Sequence, residues 1–165
     1  MAKFSQQRVG VLVDVQNMYY SGRVLFGKKV NFKEILKEAV SGRQLIRAIA
    51  YCISTEEGLE EKFFTSLENL GYEVKTKELQ IFKGGMKKGD WDVGIAIDAI
   101  KLANNLDVIV LVSGDGDYEQ LVKYLQFNKG VRVEVLAFQE SCSHMLIEAA
   151  DDFINLSKSK RFLLK

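Results

Sequence analysis

Apolar and polar positions along the chain fall into short β-branched runs separated by stretches of helical period. Val9-Gly-Val-Leu-Val13 is a continuous apolar run ending at Asp14, the pattern of a strand buried on both faces. Asn31-Phe-Lys-Glu34 reads as a helix start, with Asn31 as N-cap and Glu34 three residues on, and this helix stops at Ser41-Gly42. Leu45 to Ile53 is a second strand, and Glu56 to Leu70 is a helix closed by Gly71. Glu73 to Phe82 reads as a third strand, Lys83 to Gly89 as a loop, and Asp90 to Asn104 as a helix. Val108 to Val112 is a fourth, wholly apolar strand, followed by a helix over Gly116 to Asn128. Val131 to Phe138 is a fifth strand, and a helix over Ser141 to Ala150 follows it.

Strands alternating with helices of ten to fifteen residues predict an α/β fold. The architecture expected is three-layer α/β/α, with right-handed crossovers and a mainly parallel sheet of five or six strands. No internal repeat or composition shift divides the chain, so residues 1–157 read as one domain and residues 158–165 as a basic, loosely held tail. In such sheets ligands bind beyond the carboxyl ends of the strands, so chemistry is sought there.

Composition narrows the classes. Of 165 residues, 23 are Lys or Arg and 22 Asp or Glu, a formal net charge of +1. That excludes proteins that hold nucleic acid by total charge, but not a basic groove beside an acidic pocket. A hydrophobic share of 47% excludes disorder, and the lack of proline excludes proline-rich linkers and ligands. Two cysteines, Cys52 and Cys142, are too few for a disulfide scaffold or a four-thiolate zinc site, which points to a reducing, cytoplasmic location. The N-terminus carries no signal-peptide pattern, and no apolar stretch approaches the ~20 residues that span a bilayer, so no membrane partner is expected.

Acids gather at the strand ends. The first strand ends in Asp14-Val-Gln-Asn17, the fourth in Ser113-Gly-Asp-Gly-Asp-Tyr118, and Asp90-Trp-Asp92 opens the helix after the third. Between 90 and 119 the chain holds seven acids (Asp90, Asp92, Asp98, Asp107, Asp115, Asp117, Glu119) against one base, Lys101. Carboxylates converging at one end of a sheet repel one another unless a cation neutralises them. Oxygen ligands without His or Cys suit Mg²⁺ or Mn²⁺, which activate water and neutralise charge developing on a phosphodiester. The plainer reading makes Asp14 a turn residue and Asp115 and Asp117 helix caps; the shared arrangement favours a common site. Six residues separate Asp92 from Asp98, so on one helix they project about 120° apart. Asp92 is therefore the better ligand, and Asp98 a supporting partner or part of a solvated face.

Other features carry less. Cys142 and His144 lack the partners for zinc or a nucleophilic triad, and no G-x-G-x-x-G, Walker A or G-x-S-x-G pattern occurs. Tyr19-Tyr20, Phe63-Phe64 and Trp91 read as packing residues before base-stacking ones. From Arg23 to Arg47 there are seven Lys or Arg against two Glu, which with Lys83, Lys87 and Lys88 form a candidate phosphate-binding rim or a plain solvated surface.

The set Val11-Leu-Val-Asp14-x-x-Asn17, Lys88-Gly-x-x-Asp92-Val-x-x-x-x-Asp98 and Ser113-Gly-Asp-x-Asp117-Tyr118 resembles the NYN domain of the LabA-like group, within the PIN-like nucleases. The resemblance runs from about residue 8 to about 155. It implies a PIN-like fold of Rossmann type and a metal-dependent endoribonuclease. By that resemblance Asp14, Asp92, Asp115 and Asp117 hold one or two Mg²⁺ or Mn²⁺ ions, and Asn17 contacts substrate or water. Asp98, Ser113 and Glu119 are supporting positions, Lys87 and Lys88 contact RNA, and a homodimer is expected by analogy. Two departures stand out: Val15-Gln16 replaces the family's glycine after the first Asp, and the loop carries one residue more than Lys-Gly-Val-Asp. Asp90 and Asp92 both remain candidates, with Asp92 preferred because Val93 and an apolar helix follow it. One alternative is a binding module for RNA or protein on the same fold. Another is a phosphatase of the haloacid dehalogenase type, which wants a second Asp where Gln16 stands.

Overall fold

The computed structural model describes residues 3–55, 58, 60–85 and 87–165, with only the backbone of 87 and 88. In chain order the elements are β1 (Arg8–Asp14), α1 (Val15–Phe26), α2 (Phe32–Val40), β2 (Gln44–Ser54), α3 (Glu61–Leu70) and β3 (Glu73–Glu78). They continue with β4 (Gln80–Ile81), β5 (Lys87–Lys88), α4 (Asp92–Ala103), β6 (Val108–Val112), α5 (Glu119–Lys129), β7 (Arg132–Ala137), α6 (His144–Ala149) and β8 (Asp152–Asn155). One 3₁₀ turn follows each of β6 and β7, and two follow β8.

Six strands form one parallel sheet in the order β3-β2-β1-β6-β7-β8, and β4 and β5 pair antiparallel apart from it. The apolar runs explain the central strands. Every residue of β6 is buried, with Val108, Val110 and Val112 on one face and Ile109 and Leu111 on the other. A strand buried on both faces needs helices on both sides. The first face packs against α1, α2 and α3 through Met18, Ile35 and Leu67; the second packs against α4, α5 and α6 through Ile95, Ala99, Val122 and Leu146. This is the expected α/β/α arrangement, with six strands.

The order of strands sets the site. From β1 the chain builds outward through β2 to β3, then crosses back along α4 to lay β6 on the other side of β1. The direction of growth reverses between β1 and β6, where Val13 pairs with Val112. Their carboxyl ends therefore flank a crevice, and the next residues on each chain are Asp14 and Ser113.

Several local expectations change. Residues 15–26, where the pattern predicts no element, form α1. Asp14 accepts from the Asn17 N–H at its start, and Gly27, at φ 63°, closes it by donating to Arg23 O. The inward face of α1 carries Val15, Met18, Ser21 and Gly22, too few apolar groups to show a helical period. The third strand ends at Glu78 rather than Phe82, because Gln80–Ile81 turns away to pair with Lys87–Lys88. Helix α4 starts at Asp92, two residues later than predicted. The predicted start of the preceding helix at Glu56 lies outside the described residues. The last eight residues are not loosely held: Phe162 is buried in the core, its carbonyl accepts from Asn31 N at 2.7 Å, and Arg161 pairs with Glu34 and Glu38.

One charge lies deep in the sheet. Glu134 on β7 is fully buried and receives Arg43 in a two-pronged pair, Nη2 to Oε1 at 2.8 Å and Nη1 to Oε2 at 3.0 Å, with Arg132 Nε at 3.0 Å. Arg43 also donates to the carbonyls of Ala39 and Val40, so it closes the end of α2 while neutralising Glu134. Burial pushes the Glu134 carboxyl up, but the hydrogen bonds and charge of Arg43 and Arg132 outweigh it and hold the group below 4.5. Removing one partner strands the other, so Glu134→Gln should cost about 3–5 kcal/mol in urea unfolding at neutral pH. A carboxyl held below its unfolded value stabilises above that value, and its contribution fades as pH falls through the folded value. The gap between wild type and Glu134→Gln should therefore narrow in acid.

Candidate metal centre at the strand ends

Asp14, the last residue of β1, is 8% exposed. One of its oxygens accepts from the Asn17 N–H at 3.3 Å; the other accepts from Ser113 Oγ at 3.4 Å and from the Tyr118 hydroxyl at 3.2 Å. Ser113 is fully buried and its Oγ in turn accepts from the Asp115 N–H at 3.2 Å. Asn17 binds the two strand ends together, since its side-chain oxygen accepts from Gly114 N at 3.0 Å. Asp115 caps the short turn after β6 by accepting from Asp117 N at 2.9 Å.

Asp92, Asp115 and Asp117 each offer a carboxylate oxygen, and these oxygens all lie within 4.8 Å of one another. Asp92 reaches this group because it sits in the first turn of α4, where the helix dipole favours an anion. Asp90 accepts from the Asp92 N–H at 3.3 Å. Asp92, not Asp90, is thus the acid that joins the cluster.

Asp14 stands outside the trio and is connected to it by Tyr118, whose hydroxyl lies 3.1 Å from Asp92 Oδ1. Burial and the two neighbouring carboxylates push the phenol far up, so it stays a donor. Its single proton serves one carboxylate at a time. The acids feel the crowding. Burial, with Asp115, Asp90 and Asp14 nearby, raises Asp92 to about 6 against the Tyr118 hydrogen bond. Burial, aided by the charge of Asp115, also raises Asp14 against its three hydrogen bonds.

Two glycines let the loop close. A Cβ at Gly114 would lie 3.0 Å from both Cys142 Cα and Ser141 O, and one at Gly116 would lie 2.8 Å from Ser143 Oγ. Gly114 O accepts from Ser143 N at 2.9 Å, so the start of α6 presses directly on the acidic loop.

Two supporting residues lie elsewhere. Glu119 is paired with Lys123 one turn along α5, at 2.7 Å. Asp98 points to the far side of α4, where it accepts from Lys75 Nζ at 2.7 Å and Tyr51 OH at 2.8 Å. Burial pushes Asp98 up, but those two hydrogen bonds outweigh it and hold it below its ordinary value. Tyr51 packs on Trp91 at 5.3 Å between ring centroids, and Trp91 Nε1 donates to Cys52 O at 2.8 Å. Asp98 and Trp91 together clamp α4 to β2 and β3, which fixes where Asp92 begins. The side chains of Lys87 and Lys88 lie outside the described residues.

The roles of Tyr118, Tyr51 and Lys75 were not legible from the pattern. The one signal available was Tyr118 itself, three residues after Asp115. The donor set is all carboxylate oxygen. Cys142, pushed up to about 11 by burial, and His144, exposed and paired with Glu148, take no part. Three carboxylates converging with a fourth behind them fit a hard divalent cation of the Mg²⁺ or Mn²⁺ kind.

A parallel sheet with an acidic cluster at its reversal point is the arrangement of a PIN-like nuclease. The family model described as the NYN domain matches residues 8–157, and the chain belongs to that family. It is 27% identical over 177 aligned positions to the low amplitude and bright protein LabA of Synechococcus elongatus, spanning 98% of this chain and 90% of that relative. A crystal structure of a protein of unknown function from Vibrio parahaemolyticus superposes with a TM-score of 0.89 at 34% identity, covering 99% of this chain and all of that one. Membership of the family supports a nuclease role and a divalent metal. Among the described residues no helix is long and apolar enough to cross a membrane.

Tyr118→Phe keeps the ring in the core and removes the phenol proton, leaving the buried Asp14 and the half-buried Asp92 without that donor. Thermal and urea unfolding without added metal should show a loss of about 1–2 kcal/mol.

Proposed function

We propose that the protein is a metal-dependent endoribonuclease that hydrolyses RNA phosphodiester bonds at the ends of β1 and β6. The convergence of Asp92, Asp115 and Asp117 within 4.8 Å carries this reading, and membership of the NYN family supports it. These three would hold one or two divalent ions, with Asp14 adding negative charge behind them. A bound ion would supply Lewis acidity, making water nucleophilic and neutralising charge at the phosphate.

The chain's own residues then do the positioning. Tyr118 sets its hydroxyl between Asp14 and Asp92 and donates its one proton to either of them in turn. Asn17 ties the β1 end to Gly114, which sets the distance between the two acidic arms, and its amide nitrogen is the group available to substrate. Ser113 fixes the backbone ahead of Asp115. Cys52 and Cys142 are both free thiols, in keeping with a reducing, cytoplasmic compartment.

Two substitutions test the reading. Asn caps a helix about as well as Asp, so Asp14→Asn should leave α1 and the melting temperature near wild type. It should nevertheless lower Mn²⁺-dependent cleavage of mixed single-stranded RNA by at least about a hundredfold. Asp115→Asn should weaken Mn²⁺ binding, read by titration calorimetry, as well as cleavage. Undiminished cleavage by Asp14→Asn, or cleavage that survives EDTA, would sink the assignment.

A further inference from the structure

The basic stretch from Arg23 to Arg47 divides in the fold. Arg43 is buried against Glu134, and Arg47 is paired with Glu73 at 2.7 Å. Lys28, Lys29 and Lys33 stay exposed. Lys29 and Lys33 line a groove of about 900 Å³ between α1, α2, α3 and the end of β2, and Lys62 of α3 joins them. Among the described residues Glu60 is the one carboxylate in its lining, and it already accepts from Thr55 Oγ1 at 2.6 Å. The floor is apolar, built from Phe32, Phe63, Phe64 and Leu67.

The groove abuts the end of β1 on the α1 side of the sheet, and none of the clustered acids is in its lining. Val15 and Gln16, which follow Asp14 directly, are part of its wall, and so is Cys52, one residue beyond Tyr51, the partner of Asp14 across the sheet. It adjoins a second hollow of about 400 Å³ formed with Arg23, Lys28 and Gly27. The two hollows share Tyr19 and Lys29. Tyr19 is exposed, and its hydroxyl accepts from Arg23 Nη1 at 3.0 Å, which holds the ring in place. Cations therefore stand beside an aromatic face and an apolar floor in a groove whose wall includes the two residues that follow Asp14. Single-stranded nucleic acid is bound by that combination, with lysines on the phosphates and rings under the bases.

We infer that this groove seats the single-stranded RNA flanking the scissile phosphate, with Lys29, Lys33 and Lys62 on its phosphates and Tyr19 stacked on a base. The choice of ligand rests on the ribonuclease reading above. The acids and the cations lie on opposite sides of the β1 end, so the strand would reach the carboxylates while most of its charge is neutralised a few residues away.

The test measures binding of a dye-labelled, mixed-sequence RNA of about twelve nucleotides by fluorescence anisotropy, in EDTA and across a salt series. Lys29→Glu combined with Lys33→Glu should weaken binding at least about tenfold and flatten the plot of log K against log salt by roughly 0.7 for each phosphate no longer neutralised. Tyr19→Ala should weaken it about fivefold or more with the salt slope unchanged. These positions are exposed, so melting temperatures should match wild type. Cleavage of the same RNA with Mn²⁺ is followed in parallel. Affinity that neither variant alters, with wild-type cleavage intact, overturns the groove and spares the nuclease, leaving the groove to an occupant of other chemistry such as a protein segment. Loss of affinity in the variants without any wild-type cleavage upholds the groove and overturns the nuclease. Absence of both binding and cleavage overturns both.

Discussion

Mutual repulsion among carboxylates is the constraint around which this molecule is arranged. Asp14, Asp92, Asp115 and Asp117 arrive from β1, α4 and the turn after β6, and no lysine or arginine is seen pairing with them among the described residues. Such a gathering is unfavourable in a folded chain, and burial together with the neighbouring carboxylates raises Asp92 to about 6. What makes it tolerable is a set of neutral donors: the Tyr118 hydroxyl, Ser113 Oγ and the backbone N–H groups of Asn17 and Asp117. They hold the acids in place without cancelling their charge. The negative potential at the strand ends is thus left unneutralised by any described lysine or arginine.

The rest of the fold serves that arrangement. Central strands that are apolar on both faces give a rigid platform, and the reversal of strand order between β1 and β6 opens the crevice where the acids meet. Helix α4 brings Asp92 from a distant part of the sequence, and its start is held by Trp91 on Tyr51 and by Asp98 between Lys75 and Tyr51. Glycine at 114 and 116 admits the start of α6 against the loop. A near-neutral chain can in this way sort its charge by place, acids on the α4 side of the β1 end and exposed lysines on the α1 and α2 side.

Much of this was legible in order along the chain. The apolar runs located the four inner strands, because burial on both faces demands mostly apolar residues. The acids directly following two of those runs marked the site, since strand ends are where open α/β sheets bind. Helix α1 escaped because its inward face is made partly of Ser21 and Gly22, which show no hydrophobic period. The docked C-terminus escaped because Phe162, in a short apolar run after three basic residues, becomes core only once α2 stands beside it.

By itself the sequence determined the class of fold, the ends of the two central strands, β1 and β6, and the residue types able to hold a hard cation, because local pattern and composition carry these. Only the tertiary structure decided which acids meet. It took the crossing of α4 to set Asp92 beside Asp115, and a tyrosine from beyond β6 to stand between Asp14 and Asp92. It also decided that Asp98 and Glu119 turn to lysines and that Lys29 and Lys33 share a groove with an aromatic ring. Pairings between residues far apart in the chain depend on how strands are ordered in the sheet, which no local pattern records.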